Sequence, residues 1–423
     1  MENAWIRPLN PMEQAFTLSN ARLPLCVVCV LHLSDVPDDL DWMGVLLKLQ
    51  RRHELLQCGI DQLRGRLHFR KLDPSPSIPF EEIKAPSEDQ WKNVAETALN
   101  TIFETDGPLM KCWLLREQTA GHSELIVCFH HAIIDGSAAR LILHEILSIA
   151  GGMPLPEVIA GFSAARLPVP FRGESLVRKL SAFMLRQMKR EWSYSRIGLQ
   201  NAIPQHSENA VISLHLDKDV SRKLAVKVGR AGLGLNSVLL AAMLKATIQY
   251  RYHGHDRDLA RLLSFVDLRS SMEPEVSQDE LGCFISMLRL EVNTGQEPSE
   301  WELARQVHRA LFSAGRRGEV FAMFKMSKHF VRMALSLKNT RLGVCAISFI
   351  GRLELQASYG PLQLGDVKAY ITNNQYGPEL SAFGKILFGR IGLDFTYLTA
   401  ETSREQAEQM IGEIQRTLEK MAE

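Results

Sequence analysis

The sequence predicts an α/β (α+β) chain built in two interleaved parts, on three observations. Strand-like and helix-like segments alternate through the first 150 residues. The run 125–129 (Leu-Ile-Val-Cys-Phe) is apolar at every position, as a strand covered on both faces is. A second alternating series begins after a break rich in proline and glycine.

Taken in order, 27–33 reads as a strand, 40–53 as an amphipathic helix and 67–71 as a second strand. A helix over 88–103, a strand over 109–116 and a strand over 124–131 follow. Residues 137–149 carry apolar side chains at Ile142, Ile146 and Ile149, flanked by Leu143 and Leu147, which is helical spacing. The break 154–173 holds Pro154, Pro156, Gly161, Pro168, Pro170 and Gly173. After it, 174–196 reads as a basic amphipathic helix, with an apolar stripe (Leu176, Leu180, Phe183, Met184, Met188) beside Arg178, Lys179, Arg186, Lys189 and Arg190. A strand over 211–216, an apolar helix over 237–250 and a strand over 262–267 open the second series. The expected division is an N-terminal lobe 1–153, a linker with the basic helix 154–206, and a C-terminal lobe 207–423.

Composition narrows the classes of function. The 423 residues are 46% hydrophobic and 23% charged, with a net charge of +1, so the chain can bury two full cores and shows no general basic face for nucleic acid. No apolar run approaches the roughly 20 residues of a membrane span. The opening Met-Glu-Asn-Ala-Trp-Ile-Arg lacks the basic-then-apolar layout of a secretion signal, which makes a cytoplasmic enzyme the expectation. The seven cysteines lie mostly in apolar stretches and read as reduced core thiols; Cys26 and Cys29 have redox spacing but no second pair for zinc, so no metal is expected.

The chemistry concentrates in His130-His131-Ala132-Ile133-Ile134-Asp135-Gly136, where a buried strand stops and a loop begins. A neutral imidazole beside a thioester and an alcohol or amine can take the nucleophile's proton and then protonate the leaving sulfur, worth about 10²–10⁴-fold in rate. Strand alternation points adjacent side chains to opposite faces, so one histidine serves a given cleft: His131 as base, His130 packed or supporting. Asp135 could orient the loop, or simply cap the following helix. Gly136 would permit an unusual backbone or a close approach. At average residue usage the full pattern arises by chance in such a chain on the order of once in a thousand. There is no Gly-x-Ser-x-Gly elbow, phosphate-binding loop or Gly-x-Gly-x-x-Gly, so direct transfer is preferred over an acyl-enzyme.

This pattern resembles the His-His-x-x-x-Asp-Gly signature of the condensation-domain/chloramphenicol-acetyltransferase-like superfamily of carrier- and CoA-dependent acyltransferases. Residues 49–56 (Leu-Gln-Arg-Arg-His-Glu-Leu-Leu), 235–242, 266–270 (Val-Asp-Leu-Arg-Ser), 281–286 (Leu-Gly-Cys-Phe-Ile-Ser) and 347–352 (Ile-Ser-Phe-Ile-Gly-Arg) are similar to other family segments in order and spacing, as is the opening 7–13. Length and single-copy layout look like the stand-alone polyketide-associated O-acyltransferases of the phthiocerol dimycocerosyl transferase type. The resemblance implies two chloramphenicol-acetyltransferase-like lobes, each a mixed sheet with helices, around a central tunnel centred on His131. It further implies that Asp135 is structural and paired with Arg269. Where peptide-forming condensation domains carry Asp-Phe-Gly-Trp-Gly, this chain has only Leu-Gly-Asp-Val at 364–367, which weakens the amide-forming reading.

The resulting expectation is an acyltransferase that moves a polyketide or fatty acyl chain from a thioester to an alcohol, with His131 as general base. The co-substrate would be the phosphopantetheine of an acyl carrier protein, or CoA, with no resident cofactor. An amide-forming enzyme and an inert carrier-binding module are the alternatives. Ser348 and the Gly136 amide are oxyanion candidates. Arg178, Lys179, Arg186, Lys189, Arg190, Arg316 and Arg317 are candidates for docking a carrier protein or polyketide synthase, with a solvated helix face as the plainer reading and peripheral membrane contact as another. A monomer is expected.

Overall fold

The computed structural model describes residues 5–84, 87, 89–117, 121–157, 166–195, 207–251, 259–295, 298–336 and 341–423. The chain opens with β1 (Trp5–Pro8) and α1 (Pro11–Asn20), whose first turn is fixed by a capping box between Asn10 and Glu13. There follow β2 (Cys26–Ser34), α2 (Trp42–Arg52), β3 (Cys58–Leu63), β4 (Arg66–Lys71), β5 (Phe80–Lys84), α3 (Gln90–Leu99), β6 (Met110–Arg116), β7 (His122–His130) and α4 (Gly136–Ala150). Each of the strands and helices expected up to residue 149 is present, with ends shifted by a few residues; Glu88, the expected start of the third helix, lies outside the described residues.

The second series holds α5 (Gly173–Ser195), β8 (Asn209–His215), α6 (Lys218–Arg230), α7 (Leu235–Arg251), β9 (Leu259–Asp267), β10 (Ile285–Asn293), α8 (Glu300–Arg316), α9 (Glu319–Ser336) and β11 (Cys345–Arg352). It continues through β12 (Ser358–Tyr359), β13 (Leu362–Ile371), β14 (Leu380–Leu387), β15 (Arg390–Leu398) and α10 (Arg404–Ala422). In α7 the run Val238 to Leu244 is at most 1% exposed, the burial that an all-apolar helix requires. Among the described residues no single helix is long and apolar enough to cross a membrane.

The chain divides into two compact units. The first has a six-stranded sheet in the order β12-β13-β2-β7-β6-β5, antiparallel except for the β5–β6 pair, and a three-stranded sheet β1-β4-β3. The second has a six-stranded sheet in the order β10-β9-β11-β14-β15-β8, in which β11 runs parallel to β9. Both units are therefore mixed sheets with helices, as the motif's resemblance implies. β7 lies between β2 and β6, which explains the unbroken apolar run: Leu125 to Phe129 are each at most 1% exposed.

The division differs from the expected linear one. Residues 274–284 and 352–372 group with the first unit, and 166–273 with the second. The reason is strand pairing: β13 adds to the first sheet along β2, from Gln363 opposite Ser34 to Ile371 opposite Val27. The Leu-Gly-Asp-Val segment at 364–367 is thus part of a strand, with a bulge between Leu364 and Asp366. Residues 158–165 and 196–206, parts of the expected linker, lie outside the described residues.

Candidate active site

The motif histidines straddle the end of β7. His130 is its last residue, opposite Cys26 of β2; His131 begins the turn, with its backbone N–H directed to the Leu25 carbonyl at 3.4 Å. Their rings have different surroundings. His130 lies edge-on to Phe103 (centroids 6.0 Å apart), whereas His131 lies against Phe16 of α1 at 4.3 Å, the planes tilted by 34°.

Hydrogen bonds fix the two rings in opposite tautomers. His131 Nδ1 is 2.9 Å from the Ile134 carbonyl oxygen, which can only accept, so Nδ1 carries the proton and Nε2 the lone pair. No hydrogen bond to that Nε2 is found among the described residues. At His130 the reverse holds: the Ala132 N–H donates to Nδ1 at 3.0 Å, so the proton sits on Nε2, a buried atom that finds no partner. One histidine is thereby armed as an acceptor at Nε2, and the other is not.

Burial keeps both rings neutral. Desolvation, assisted by the neighbouring His131, pushes His130 down to about 3. Desolvation also holds His131 below its ordinary value, against the opposing pull of its Ile134 bond and of the Asp135 charge. The sign of the resulting pH dependence follows from the two states. Between pH 6.5 and about 3 the unfolded chain protonates His130 while the folded chain does not, so stability is fullest above pH 6.5 and falls on acidification, by up to about 1.4 kcal/mol per pH unit. His130→Asn retains an acceptor for the Ala132 N–H and removes the titration. Urea midpoints taken between pH 7.5 and 4.5 should fall more shallowly for this variant, and parallel slopes would contradict the neutral, buried state.

Asp135 is the N-cap of α4. Its Oδ1 accepts the Ala138 N–H and its Oδ2 the Phe284 N–H, both at 2.9 Å, and it is buried. Its carboxylate holds backbone rather than offering a free face. Gly136 is the first residue of α4 with helical backbone, so a left-handed conformation is not what calls for glycine there. Such a conformation does occur at Gly282 (φ 142°), where a Cβ would lie 2.7 Å from the Phe284 ring. The neighbouring Cys283 N–H donates to Glu13 Oε1, and Glu13 forms a two-bonded pair with Arg7 at 2.7 and 2.8 Å. The opening 7–13 and the 281–284 segment therefore interlock beside the motif loop.

Sequence reasoning missed Glu145 and Phe16. Glu145 sits in the apolar stripe of α4, buried, and receives both Arg52 Nε and Nη2 at 3.0 Å and His53 Nε2 at 2.7 Å. Desolvation alone would raise its pKa; the His53 and Arg52 bonds outweigh it and hold the carboxyl at about 2. The Arg-Arg-His at the end of α2 thus anchors the helix that the motif begins. An acid within an apolar stripe was the available signal.

Residues 206–384 match the family described as "Phthiocerol/phthiodiolone dimycocerosyl transferase C-terminus". The chain is of the condensation/chloramphenicol-acetyltransferase-like acyltransferase superfamily, PapA type. Over 302 residues this PapA-type chain is 25% identical to a linear gramicidin synthase protein of Brevibacillus parabrevis, a match covering 67% of the chain and 6% of that much longer protein. Its fold is similar to that of polyketide synthase associated protein 5 from Mycobacterium tuberculosis (TM-score 0.69, 17% identity, 98% of both chains). It is also similar to the TRI3 trichothecene 15-O-acetyltransferase from Fusarium sporotrichioides (TM-score 0.73, 11% identity, 98% of this chain and 95% of that one).

The remaining candidates of the PapA-type chain belong to its second unit. Arg269 is buried in the single turn after β9; its N–H donates to Asp267 Oδ1 at 2.7 Å, and its Nε is 3.9 Å from Asp267 Oδ2. Ser348 lies on β11, half-buried. Among the basic candidates, Arg186, Arg190 and Arg317 converge on the buried Glu319 at the start of α9, with separations of 3.3, 3.1 and 2.7 Å. A buried carboxylate requires such partners, so these three side chains tie α5 to α9 rather than standing out as a docking face. Lys179 packs its ammonium 3.9 Å over the Phe171 ring. Arg178, Lys189 and Arg316 are exposed. All seven cysteines are free and buried.

Proposed function

We propose that this protein transfers an acyl chain from a thioester to an alcohol, forming an ester, with His131 as general base. The observation that carries the proposal is the His131 tautomer: the Ile134 carbonyl holds the proton on Nδ1, and Nε2 keeps an unbonded lone pair. Nε2 takes the hydroxyl proton as the oxygen attacks the thioester carbonyl. The tetrahedral adduct then expels the thiolate, and the imidazolium returns the proton to sulfur, so that an ester and a free thiol result. A neutral imidazole is the form this needs, and burial maintains it. The donor would be an acyl carrier protein or CoA, and the relatives in polyketide and nonribosomal synthase systems support such a partner. Arg178, Lys189 and Arg316 are the exposed cations available to an acidic carrier surface or an anionic membrane. We further propose pairing of Asp135 with Arg269, and action in the cytoplasm as a monomer.

An alcohol acceptor is favoured over an amine because the Asp-Phe-Gly-Trp-Gly of peptide-forming domains is absent and the 364–367 segment is a stretch of strand instead. Matched alcohol and amine acceptors, offered with a panel of acyl-carrier and acyl-CoA thioesters and read by intact-mass spectrometry, test the reading. Ester formation is expected. Amide formation alone would reassign the acceptor class, and carrier binding without transfer would reduce the protein to a recruiting module.

A further inference from the structure

We propose that Phe16 is a positioning residue for His131: its ring holds the imidazole in the one orientation that directs Nε2 away from the Ile134 bond. The inference rests on the general-base reading of His131 and adds a residue that the motif does not contain. Two contacts on different sides define the ring. One is the Nδ1–H bond to the Ile134 carbonyl at 2.9 Å, and the other is the Phe16 ring at 4.3 Å with a 34° tilt. A single hydrogen bond leaves an imidazole free to rock about its axis. An aromatic surface at stacking distance removes that freedom by dispersion and shape.

The element that presents Phe16 is itself clamped. Glu13, one turn earlier on α1, is fully buried and held by Arg7 and by the Cys283 N–H. Phe284, the next residue after Cys283, donates its N–H to Asp135 in the motif loop. The same four-residue segment therefore fixes both the helix that carries Phe16 and the loop that carries the Ile134 carbonyl. Those two supports are what the His131 ring touches on either side.

Phe16 has a second consequence, because it covers a face of the imidazole that water would otherwise solvate. An aromatic face can also attract an imidazolium, by about 0.5–1 kcal/mol at exposed sites, but desolvation of a buried ring is worth up to several pK units and wins here. The titratable groups around the ring are Asp135 and His130 in the motif, Cys26 on β2 opposite His130, and Glu13, the one ionisable residue of α1, which is engaged by Arg7. None of them changes when Phe16 is replaced.

The test uses Phe16→Ala and Phe16→Leu in the full chain. Phe16→Ala should lower kcat about 10–100-fold with little change in the Michaelis constant of the donor, since a misplaced base costs rate rather than binding. The acid limb of its kcat profile should rise toward pH 6.5. Phe16→Leu, which restores most of the covering volume, should recover part of the rate and leave the limb near wild type. Imidazole ¹⁵N shifts in the absence of substrate provide a readout independent of turnover. Wild-type His131 should show a protonated Nδ1 and a bare Nε2, and Phe16→Ala should show averaging between tautomers. If Phe16→Ala is folded and retains the wild-type rate, limb and ¹⁵N pattern, Phe16 is merely packing and the inference fails. If His131→Ala retains turnover, the general-base reading fails instead. If Phe16→Ala does not fold, Phe16→Leu decides: a folded Leu variant with a wild-type ¹⁵N pattern supports covering of the ring, and one with averaged tautomers overturns it.

Discussion

Replacing His131 by alanine is expected to reduce acyl transfer by about 10²–10⁴-fold while the protein stays folded. The rate effect is large because the variant loses the lone pair that accepts the hydroxyl proton, and no neighbour can supply another. His130 has its own Nδ1 lone pair occupied by the Ala132 N–H and exposes only a proton at Nε2. Asp135 has one oxygen on each of two backbone amides. The structural cost is modest, since the His131 side chain contributes one hydrogen bond, to Ile134, and a ring contact with Phe16. Rates under single-turnover conditions, taken with circular dichroism and a urea midpoint, separate the two effects. Turnover within a few fold of wild type would remove His131 from the chemistry.

Much of this site was legible in the sequence because it is local. An unbroken apolar run requires an interior strand, and β7 lies between β2 and β6. Apolar spacing of three and four requires a helix, and α4 follows at once with Asp135 as its cap. The choice of His131 over His130 rested on alternation alone; the tautomers give it a chemical basis that no sequence pattern contains.

What could not be read depends on partners far along the chain. β13 pairs with β2 across more than three hundred residues, and no local periodicity records that register. This is why the expected boundary at 207 assigned 352–372 to the wrong sheet. Phe16 looks like any aromatic on a helix until α1 is placed beside the motif loop. The basic residues of α5 failed as a surface signal for a related reason. A charged face reads as solvent-exposed unless a buried acid such as Glu319 is known to lie opposite.

The largest stability effect should come from Asp135→Ala. Two separate amides lose their acceptor: the Ala138 N–H in the first turn of α4 and the Phe284 N–H. Loss of an N-cap costs about 1 kcal/mol and an orphaned buried N–H about 1–3 kcal/mol, so the variant should lose about 2–4 kcal/mol. Asp135→Asn keeps one acceptor oxygen but turns an amide NH₂ toward the second N–H, so it should fall between wild type and Asp135→Ala. The effect reaches the chemistry through one peptide unit. Ile134, whose carbonyl fixes the His131 tautomer, directly precedes Asp135. Loosening the cap therefore frees that carbonyl, and kcat of the folded fraction should decline in the same order as the urea midpoints. An Asp135→Ala protein with an unchanged midpoint and only a raised Michaelis constant for the acceptor would mean that the carboxylate meets substrate, and that the loop is held by something else.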